Sequence, residues 1–335
     1  MSAALRRAII TPADEAHWLA ERAKDLTSTE CAALFNASPY ATHYELWHQK
    51  TGALENTFQD NDRTKWGRRL EASIAAGIAE DHGLVVVPFK DYMRIEDVRM
   101  GASFDYRIVE LVPGFTGESP FRDLFMQRGP GLMEVKNVDG LQFKRGWIDD
   151  EEREAPAQIE FQVQHQMEVA DISWTVLAPL VGGNTPMPFA RLRDLEVGEL
   201  IRKRVAAFWD SIAKDVPPEP DFSKDAATVA ALYVGNDGSQ VNLADNERLF
   251  ELCIAYKDAA KRADLADGDK QAAKAEILTI VGAAEKIIAG GGFSISAGTV
   301  AASDGTLITA SMVGTRYGGR KSYRNVRINA PKTSK

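Results

Sequence analysis

The sequence predicts an α/β fold in which helices flank a mixed central sheet. Short segments rich in β-branched and aromatic residues, bounded by Gly, Pro or polar clusters, alternate with stretches of helical periodicity. The chain of 335 residues also exceeds the usual size of one compact domain. We therefore expect a large α/β core followed by a second unit or extension.

The first two thirds of the chain supply the predicted core. In its strongest helix, Gly67, Glu71 and Ile74 recur on one side, so Glu71 lies on or at the edge of the packed stripe. In chain order, the predicted elements are helices 14–24, 29–35, 43–52 and 63–82, strands 84–88, 102–108 and 131–138, helix 157–170, strands at 172–180 and near 189, and helix 196–213.

A proline-rich segment marks the predicted domain boundary. Val216-Pro217-Pro218-Glu219-Pro220 cannot continue the preceding helix, because proline lacks the backbone N–H and clashes with the preceding turn. We therefore predict a core over 1–215 and an extension over 216–335.

Two motifs are predicted within the extension. Segments 246–261 and 270–288 are rich in Ala, Glu and Lys and predict a pair of antiparallel helices. Gly290-Gly291-Gly292 is interpreted as a turn. Alternating segments at 293–301 and 306–313 then predict a β-hairpin.

Charge is unevenly distributed along the chain. The formal net charge of -8 argues mildly against a protein coated in basic residues. The last twenty residues nevertheless contain no acid and several cations, which are Arg316, Arg320, Lys321, Arg324, Arg327, Lys332 and Lys335. This tail is either a phosphate-facing surface or a solubilising end.

The cysteine content and the hydropathy exclude several classes of protein. Cys31 and Cys253 are the only cysteines, so a disulfide framework or a structural zinc site is not expected. No stretch approaches the roughly 18 uninterrupted apolar residues that a membrane span requires. We expect a cytoplasmic protein without membrane association.

The segment Gly131-Leu132-Met133-Glu134-Val135-Lys136-Asn137-Val138 holds the most informative charge pair. Successive side chains on a strand point to opposite faces, so Glu134 and Lys136 share one face. Burial of two charges on an apolar strand is costly unless each is compensated. A metal ion and a phosphate would compensate both.

Two further carboxylates complete a possible metal site. Asp105 lies within an apolar strand pattern, and Glu71 projects from the packed helix. Oxygen ligands without a Cys or His cluster favour magnesium or manganese over zinc. Glu-x-Lys alone is a weak signal, since such pairs occur on many exposed strands. Asp97 and Asp139 are the alternative carboxylates to Asp105.

Several motifs in order resemble the PD-(D/E)XK nuclease superfamily, and within it the YqaJ-type viral recombinases related to lambda-phage-type exonucleases. The resemblance covers about 18–180. It is carried by Trp18-Leu19-Ala20-Glu21-Arg22 with Leu26-Thr27-Ser28-Thr29-Glu30, Ser38-Pro39-Tyr40 with Glu45-Leu46-Trp47 and Lys50-Thr51-Gly52, Trp66-Gly67 with Leu70-Glu71, Asp105 with Glu134-Val135-Lys136, and Gln162-Val163-Gln164-His165-Gln166-Met167. Phe104-Asp105-Tyr106 departs from the usual Pro-Asp-Gly, and a long segment, interpreted as a loop, separates Asp105 from Glu134.

The resemblance implies roles for these residues. Glu71, Asp105, Glu134 and the Val135 carbonyl would bind one or two Mg²⁺ ions, with Mn²⁺ as a substitute. Lys136 would be the catalytic lysine and Gln162 the glutamine that orients the site. Arg22 and Thr29 match positions that hold the 5′-terminal phosphate of the substrate strand.

The resemblance also implies an activity. It indicates a 5′-to-3′ exonuclease that degrades one strand of linear double-stranded DNA and leaves a 3′ single strand for phage-type recombination in a bacterial host. It permits a ring-shaped homo-oligomer and a single-strand annealing partner. The alternatives are an endonuclease of the same fold and a non-catalytic DNA-binding recombination accessory protein.

The remaining polar and aromatic residues have simpler interpretations. His165 is more simply a solvated or hydrogen-bonded side chain than a general base. Gln164 and Gln166 are interpreted as polar helix positions. Trp47 and Trp66 are expected to be packing anchors rather than base-stacking platforms.

Overall fold

A computed structural model describes residues 5–55, 60–149, 152–233 and 239–302, together with four short strands beyond residue 305. The chain divides into two compact units, 1–236 and 237–335. The segment 216–236 belongs to the first of them, where the Thr42 hydroxyl donates a hydrogen bond to Asp225 at 2.5 Å. A domain boundary at residue 215 stays a prediction.

The helices that the sequence predicts in the first unit lie close to their predicted ranges, whereas α4, α5 and α8 were not predicted. Asn61 and Thr64 form a reciprocal capping box at the start of α3, which fixes where this long helix begins. The helices are α1 (Glu15–Ala23), α2 (His43–Lys50), α3 (Asp62–Asp81), α4 (Pro120–Arg128), α5 (Gly140–Gly146), α6 (Ala157–Ala170), α7 (Leu195–Ala213) and α8 (Ala226–Leu232), with 3₁₀ turns at Cys31–Phe35 and Glu96–Val98.

Twelve strands precede α7 in the described part of the chain. They are β1 (Arg7–Ile10), β2 (Leu26–Thr27), β3 (Leu84–Pro88), β4 (Tyr92–Ile95), β5 (Met100–Ala102), β6 (Tyr106–Leu111), β7 (Gly131–Val138), β8 (Ile148–Asp149), β9 (Glu152–Arg153), β10 (Trp174–Val181), β11 (Thr185–Pro186) and β12 (Phe189–Leu192).

The central sheet is mixed, as predicted. Its order is β11-β10-β7-β6-β3, with β12 also paired to β10. β3, β6 and β7 are antiparallel neighbours, whereas β10 runs parallel to β7 with Leu177 beside Glu134. A Cβ on Gly131 would lie 2.5 Å from the Trp174 ring, so only glycine fits at the start of β7. The α/β class with helices around a mixed sheet is confirmed.

Two hydrophobic clusters cover the two faces of this sheet. On one face, Leu132 and Leu177 pack with Val163 and Met167 of α6. On the other, Met133 packs with α3 and α4. A smaller sheet of order β1-β4-β5-β2 packs against helix α6 through β4 and β5. Strands β8 and β9 form a separate pair. The sequence did not predict β1, β2 or β4, because each is only two to four residues long.

Two further predictions in the first unit are wrong in part. The predicted strand 102–108 is two strands, β5 and β6, and Asp105 lies in the bend between them. The segment between Asp105 and Glu134, interpreted as a loop, contains α4. Its first residue is Pro120, whose missing N–H and fixed φ suit the first helical position.

The described part of the second unit contains one long helix and short strands, and the predicted turn Gly290–Gly292 is a short 3₁₀ helix. Its elements are α9 (Glu247–Val281), β13 (Lys286–Ile288), β14 (Ser294–Ser296), β15 (Thr299–Val300), β16 (Thr306–Leu307), β17 (Arg316–Tyr317), β18 (Tyr323–Arg324) and β19 (Arg327–Asn329). The predicted helical pair is wrong, because α9 is one continuous helix. The segment 262–269 does not interrupt it, since it contains no proline and its one glycine, Gly268, destabilises a helix by only about 1 kcal/mol.

The predicted β-hairpin is also wrong in its pairing. β14 pairs with β13 and β19, β15 with β18, and β16 with β17. The expected turn at 303–305 and the side chains of the basic tail lie outside the described residues. Among the helices that the structure describes, none is both long and apolar enough to cross a membrane.

Candidate active site

The charge pair of β7 lies in a network of side-chain hydrogen bonds. Glu134 is 3% exposed, and the Lys136 Nζ donates to its Oε1 at 2.5 Å. Gln162 of α6 donates to the same oxygen at 2.6 Å. Gln166, one turn further along α6, donates to the other oxygen, Oε2, at 2.8 Å. Three donors from two elements therefore fix the carboxylate.

Asp105 reaches the same strand through the backbone. Its Oδ2 accepts a hydrogen bond of 2.8 Å from the Val135 N–H. Pairing between β6 and β7 includes Tyr106 and Met133 but does not extend past them, so the Asp105 side chain takes the place of the next ladder partner. The bend before β6 brings Asp105 next to Glu134, although the predicted strand was wrong.

Glu71 approaches from α3 on the other side of the sheet. It is partly buried near the start of the stripe that continues with Ile74, Ala75 and Ile78. Burial raises the pKa of Glu71, and the nearby charge of Glu134 raises it further, whereas Lys136 opposes the shift. The structure therefore brings all three predicted carboxylates within electrostatic range of one another.

Acidic side chains are concentrated at this point of the sheet. Burial raises the pKa of Asp105 well above its usual range, and Glu134 and Glu71 add to the effect. Burial alone would lower the pKa of Lys136, but the charges of Glu134 and Asp105 outweigh it and raise the pKa. Lys136 is thus held as an ammonium, and it compensates only part of the acidic charge.

The donor set fits a divalent cation in its chemistry. Three carboxylates, two of them with raised pKa values, form a site that a hard cation would stabilise. Among the described residues no three His, Cys, Asp or Glu side chains are gathered closely enough to hold an ion as they stand. Ligation by the Val135 carbonyl stays a prediction.

A second cluster lies around Arg22. Its guanidinium donates to the Thr29 hydroxyl at 3.4 Å and to the Ser103 hydroxyl at 3.3 Å, and it stacks 4.6 Å over the Trp18 ring. The Trp18 Nε1 donates to the same Ser103 oxygen at 2.8 Å. The structure thus brings the two predicted phosphate residues together and adds Ser103, which the sequence analysis missed.

Gln166 connects the two clusters and was also missed. Its Nε2 donates both to Glu134 and, at 3.0 Å, to the Ser103 backbone carbonyl. It is 3% exposed, so its interpretation as an ordinary polar helix position is wrong. The signal available in the sequence was its four-residue spacing from Gln162, which places both amides on one side of α6.

The other candidates lie elsewhere. Asp97 pairs with Arg6 at the surface, and Asp139 caps α5, so neither replaces Asp105. Trp47 is a packing anchor, as predicted. Trp66 is not, because it is 53% exposed on α3 beside Arg69.

Two polar residues of α6 face away from the carboxylates. Gln164 donates to the Leu192 carbonyl at 2.9 Å, in keeping with an ordinary polar helix position. His165 is buried and lies 2.9 Å from the Gly101 carbonyl oxygen. The hydrogen-bonded interpretation of His165 is confirmed, although the residue is not solvated.

Comparison with known proteins identifies the matched segment. Residues 17–173 match the YqaJ-like viral recombinase domain. The uncharacterized protein YqaJ of Bacillus subtilis (strain 168) is 24% identical over 212 residues, which is 62% of this chain and 60% of the relative. The chain thus spans less than two thirds of that relative's length.

Two solved structures were also compared with the chain. An alkaline exonuclease (LHK-Exo) from Laribacter hongkongensis is 17% identical, with a TM-score of 0.44 over 64% of this chain and 100% of the other. A phage related exonuclease from Haemophilus somnus 129PT is 15% identical, with a TM-score of 0.36 over 61% and 89%. The segment 17–173, which matches the YqaJ-like viral recombinase domain, contains every residue of the candidate site.

Proposed function

We propose that this chain is a divalent-metal-dependent deoxyribonuclease that degrades one strand of linear double-stranded DNA from its 5′ end. The 3′ single strand left behind would serve phage-type recombination in the bacterial cytoplasm. The observation that carries the proposal is the group of Glu71, Asp105 and Glu134 around the Lys136 ammonium, within a segment that matches a viral recombinase domain.

The residues divide the chemistry among them. Glu71, Asp105 and Glu134 would hold Mg²⁺ or Mn²⁺, which when bound lowers the pKa of a water and stabilises charge on the scissile phosphate. Gln162 and Gln166 hold the Glu134 carboxylate in one orientation. Asp105 is held by the Val135 N–H, so strand β7 positions two of the three carboxylates.

Lys136 has two candidate roles. As a neutral amine it would accept a proton from the attacking water, and as an ammonium it would donate a hydrogen bond to the phosphate as negative charge develops there. The Lys136 Nζ already donates to a carboxylate oxygen of Glu134. Because a phosphate offers the same kind of acceptor, we assign Lys136 to stabilise the phosphate.

The Arg22 cluster supports recognition of a 5′ end. A guanidinium and two hydroxyls, from Thr29 and Ser103, offer donors to a terminal phosphate. Ser103 lies two residues before Asp105, which links this cluster to the carboxylates along the chain. The 5′ polarity of the proposal rests on this cluster and on the family resemblance.

The decisive assay compares three conditions. Linear duplex labelled at one end is incubated with the protein and Mg²⁺, alongside a chelated control and closed circular duplex. We expect degradation of the linear DNA only, and only with metal. Cleavage of the closed circle would identify an endonuclease instead. DNA retention that depends on salt but not on Mg²⁺, without cleavage, would indicate an accessory binding protein.

A second assay tests the 5′-phosphate role. The rates on 5′-phosphorylated and 5′-hydroxyl ends are compared for the wild-type protein and for Arg22→Ala. We expect the wild-type protein to prefer phosphorylated ends and Arg22→Ala to lose that preference. Equal rates on both ends for the wild-type protein would remove Arg22, Thr29 and Ser103 from phosphate recognition. From the same family resemblance we also propose a ring-shaped homo-oligomer and a single-strand annealing protein as a partner.

A further inference from the structure

Helix α9 is long and has no buried residue. Its 35 residues extend over about 52 Å at 1.5 Å per residue. Helices in proteins are stabilised mainly by packing of one apolar face rather than by intrinsic propensity. An apolar face on α9 without a buried residue is therefore a candidate interaction surface.

Five large apolar residues of α9 belong to one series with alternating spacings of three and four, whereas Phe250, Ile254, Leu265 and Leu278 lie outside it. Leu249, Leu252 and Tyr256 lie near its start, and Ile277 and Ile280 continue the same series near its end. The Leu252 and Tyr256 side chains are 48% and 77% exposed, and Ile280 is 76% exposed. This spacing places all five on one narrow stripe, here called the α9 seam.

The middle of the α9 seam is made of small residues. Ala259, Ala263, Ala266 and Ala273 occupy the intervening positions of the same series, and Lys270 is its one polar member. Small side chains let two helix backbones approach closely, and a single polar residue in such a seam is a known device for setting register. A sustained apolar series of this length is typical of a coiled coil.

The charged residues beside the α9 seam would face residues of opposite charge on a second copy of the same helix. Arg262 lies on one flank, with Asp267 and Asp269 following within two turns. If two copies of α9 pair in parallel, Arg262 faces the Asp267 of the second copy. If they pair antiparallel, it faces the second copy's Asp269. Either direction places opposite charges side by side, which favours a second α9 as the occupant.

We propose that α9 pairs with the α9 of a second copy of this chain, forming a two-stranded coiled coil through the α9 seam. The proposal is independent of the nuclease activity, since none of its residues belongs to the candidate active site. A second α9 is the expected partner, because an identical helix presents a matching apolar series and charges opposite to the flanking ones.

A matched pair of leucine variants tests the α9 seam. The mass of the full-length protein is measured by sedimentation equilibrium under reducing conditions. We expect Leu252→Asp to halve the mass of the wild-type assembly. Leu265→Asp, which changes another exposed leucine of the same helix outside the seam, should leave the mass unchanged. Circular dichroism of both variants verifies that helix content is retained.

A charge exchange provides the second test. Arg262→Asp should raise the dissociation constant roughly tenfold, because it places like charges across the pair. Adding Asp267→Arg and Asp269→Arg to that variant should restore association. The proposal is overturned if Leu252→Asp and Leu265→Asp behave alike, or if the charge exchange restores nothing.

Discussion

The two faces of strand β7 have different surroundings. On the α6 side, Glu134 and Lys136 are surrounded by hydrogen-bonding partners. On the α3 side, Met133 and Val135 pack only in an apolar cluster with residues such as Ile74. Because side chains alternate along a strand, one element carries both the chemistry and the packing.

Burial on the two faces has opposite effects on the free energy of folding. Burial of Met133 at 1% exposure stabilises the fold by removing apolar surface from water. Burial of Glu134 at 3% exposure costs free energy, which three charge-assisted hydrogen bonds offset in part. On β7 itself, the α6 face therefore carries the side chains of the site, whereas the α3 face supplies stability. Glu71, the carboxylate from the α3 side, belongs to the helix rather than to the strand. Substitutions on the two faces should therefore separate activity from stability.

The largest expected effect is on the α6 face. Lys136→Met removes the ammonium but keeps the length and apolar stem of the side chain. We expect the turnover of linear duplex to fall by about 10²- to 10³-fold, as for other groups that stabilise charge in a transition state. Single-turnover rates with end-labelled DNA and Mg²⁺ measure the loss.

The melting temperature is the control for Lys136→Met. The substitution should not unfold the protein, since the apolar packing on the α3 face is unchanged. A variant that cleaves at the wild-type rate would remove Lys136 from catalysis. A variant that is inactive only because it is unfolded would show that the two faces are not separable.

The opposite result is expected for the α3 face. Met133→Ala leaves a cavity among the side chains of the apolar cluster and should lower the free energy of unfolding by about 2–5 kcal/mol. Urea denaturation followed by circular dichroism measures the change. The rate per folded molecule should stay close to wild type below the unfolding transition. A large loss of rate in fully folded protein would show that this face also positions the carboxylates.

The strands and helices around the site could be predicted because their patterns are local. β7 and α6 lie at the predicted ranges, since apolar alternation and helical periodicity are properties of consecutive residues. The Glu134–Lys136 contact follows from the same alternation. Glu71 and Asp105 were predicted as site carboxylates from their apolar surroundings and from the family resemblance, because no local spacing places them beside Glu134.

Other parts of the site depend on contacts that no local pattern records. Ser103 joins Arg22 only because β5 brings residues 81 apart in sequence together. Gln166 resembles any polar helix residue until its partners on two other elements are known. The predicted pair of helices in the second unit is the single helix α9, because nothing in 262–269 ends a helix.

Gln166 should have a smaller effect than Lys136. Gln166→Met removes the donors to Glu134 and Ser103 with little change in volume. Hydrogen bonds to charged groups contribute about 1.5–3 kcal/mol, so we expect turnover to fall by roughly tenfold or more. Gln164→Met is the matched control, because its amide lies on the same helix and contacts the Leu192 carbonyl.

The kinetic constants distinguish positioning from packing for Gln166. A positioning role predicts a lower kcat with little change in KM, and rates that fall more on phosphorylated than on hydroxyl ends. Equal losses in Gln166→Met and Gln164→Met would indicate a general effect on α6. That outcome would contradict a link between the two clusters.

The smallest expected effect is a pH dependence of stability on the α6 side. Burial lowers the pKa of His165 to about 3, because a charged imidazole cannot be solvated in its site. Below its ordinary pKa of about 6.5, the unfolded chain binds a proton that the folded chain does not. The free energy of unfolding should therefore fall as the pH decreases from about 6.5 towards 3, and His165 should not affect it above pH 6.5.

His165→Gln should reduce the slope of the free energy of unfolding against pH by roughly 1 kcal/mol per pH unit, measured by urea denaturation at pH 7.5, 6.5 and 5.5. An unchanged slope would mean that His165 is protonated in the folded protein, and the α6 side would then hold a buried cation beside the Gly101 carbonyl.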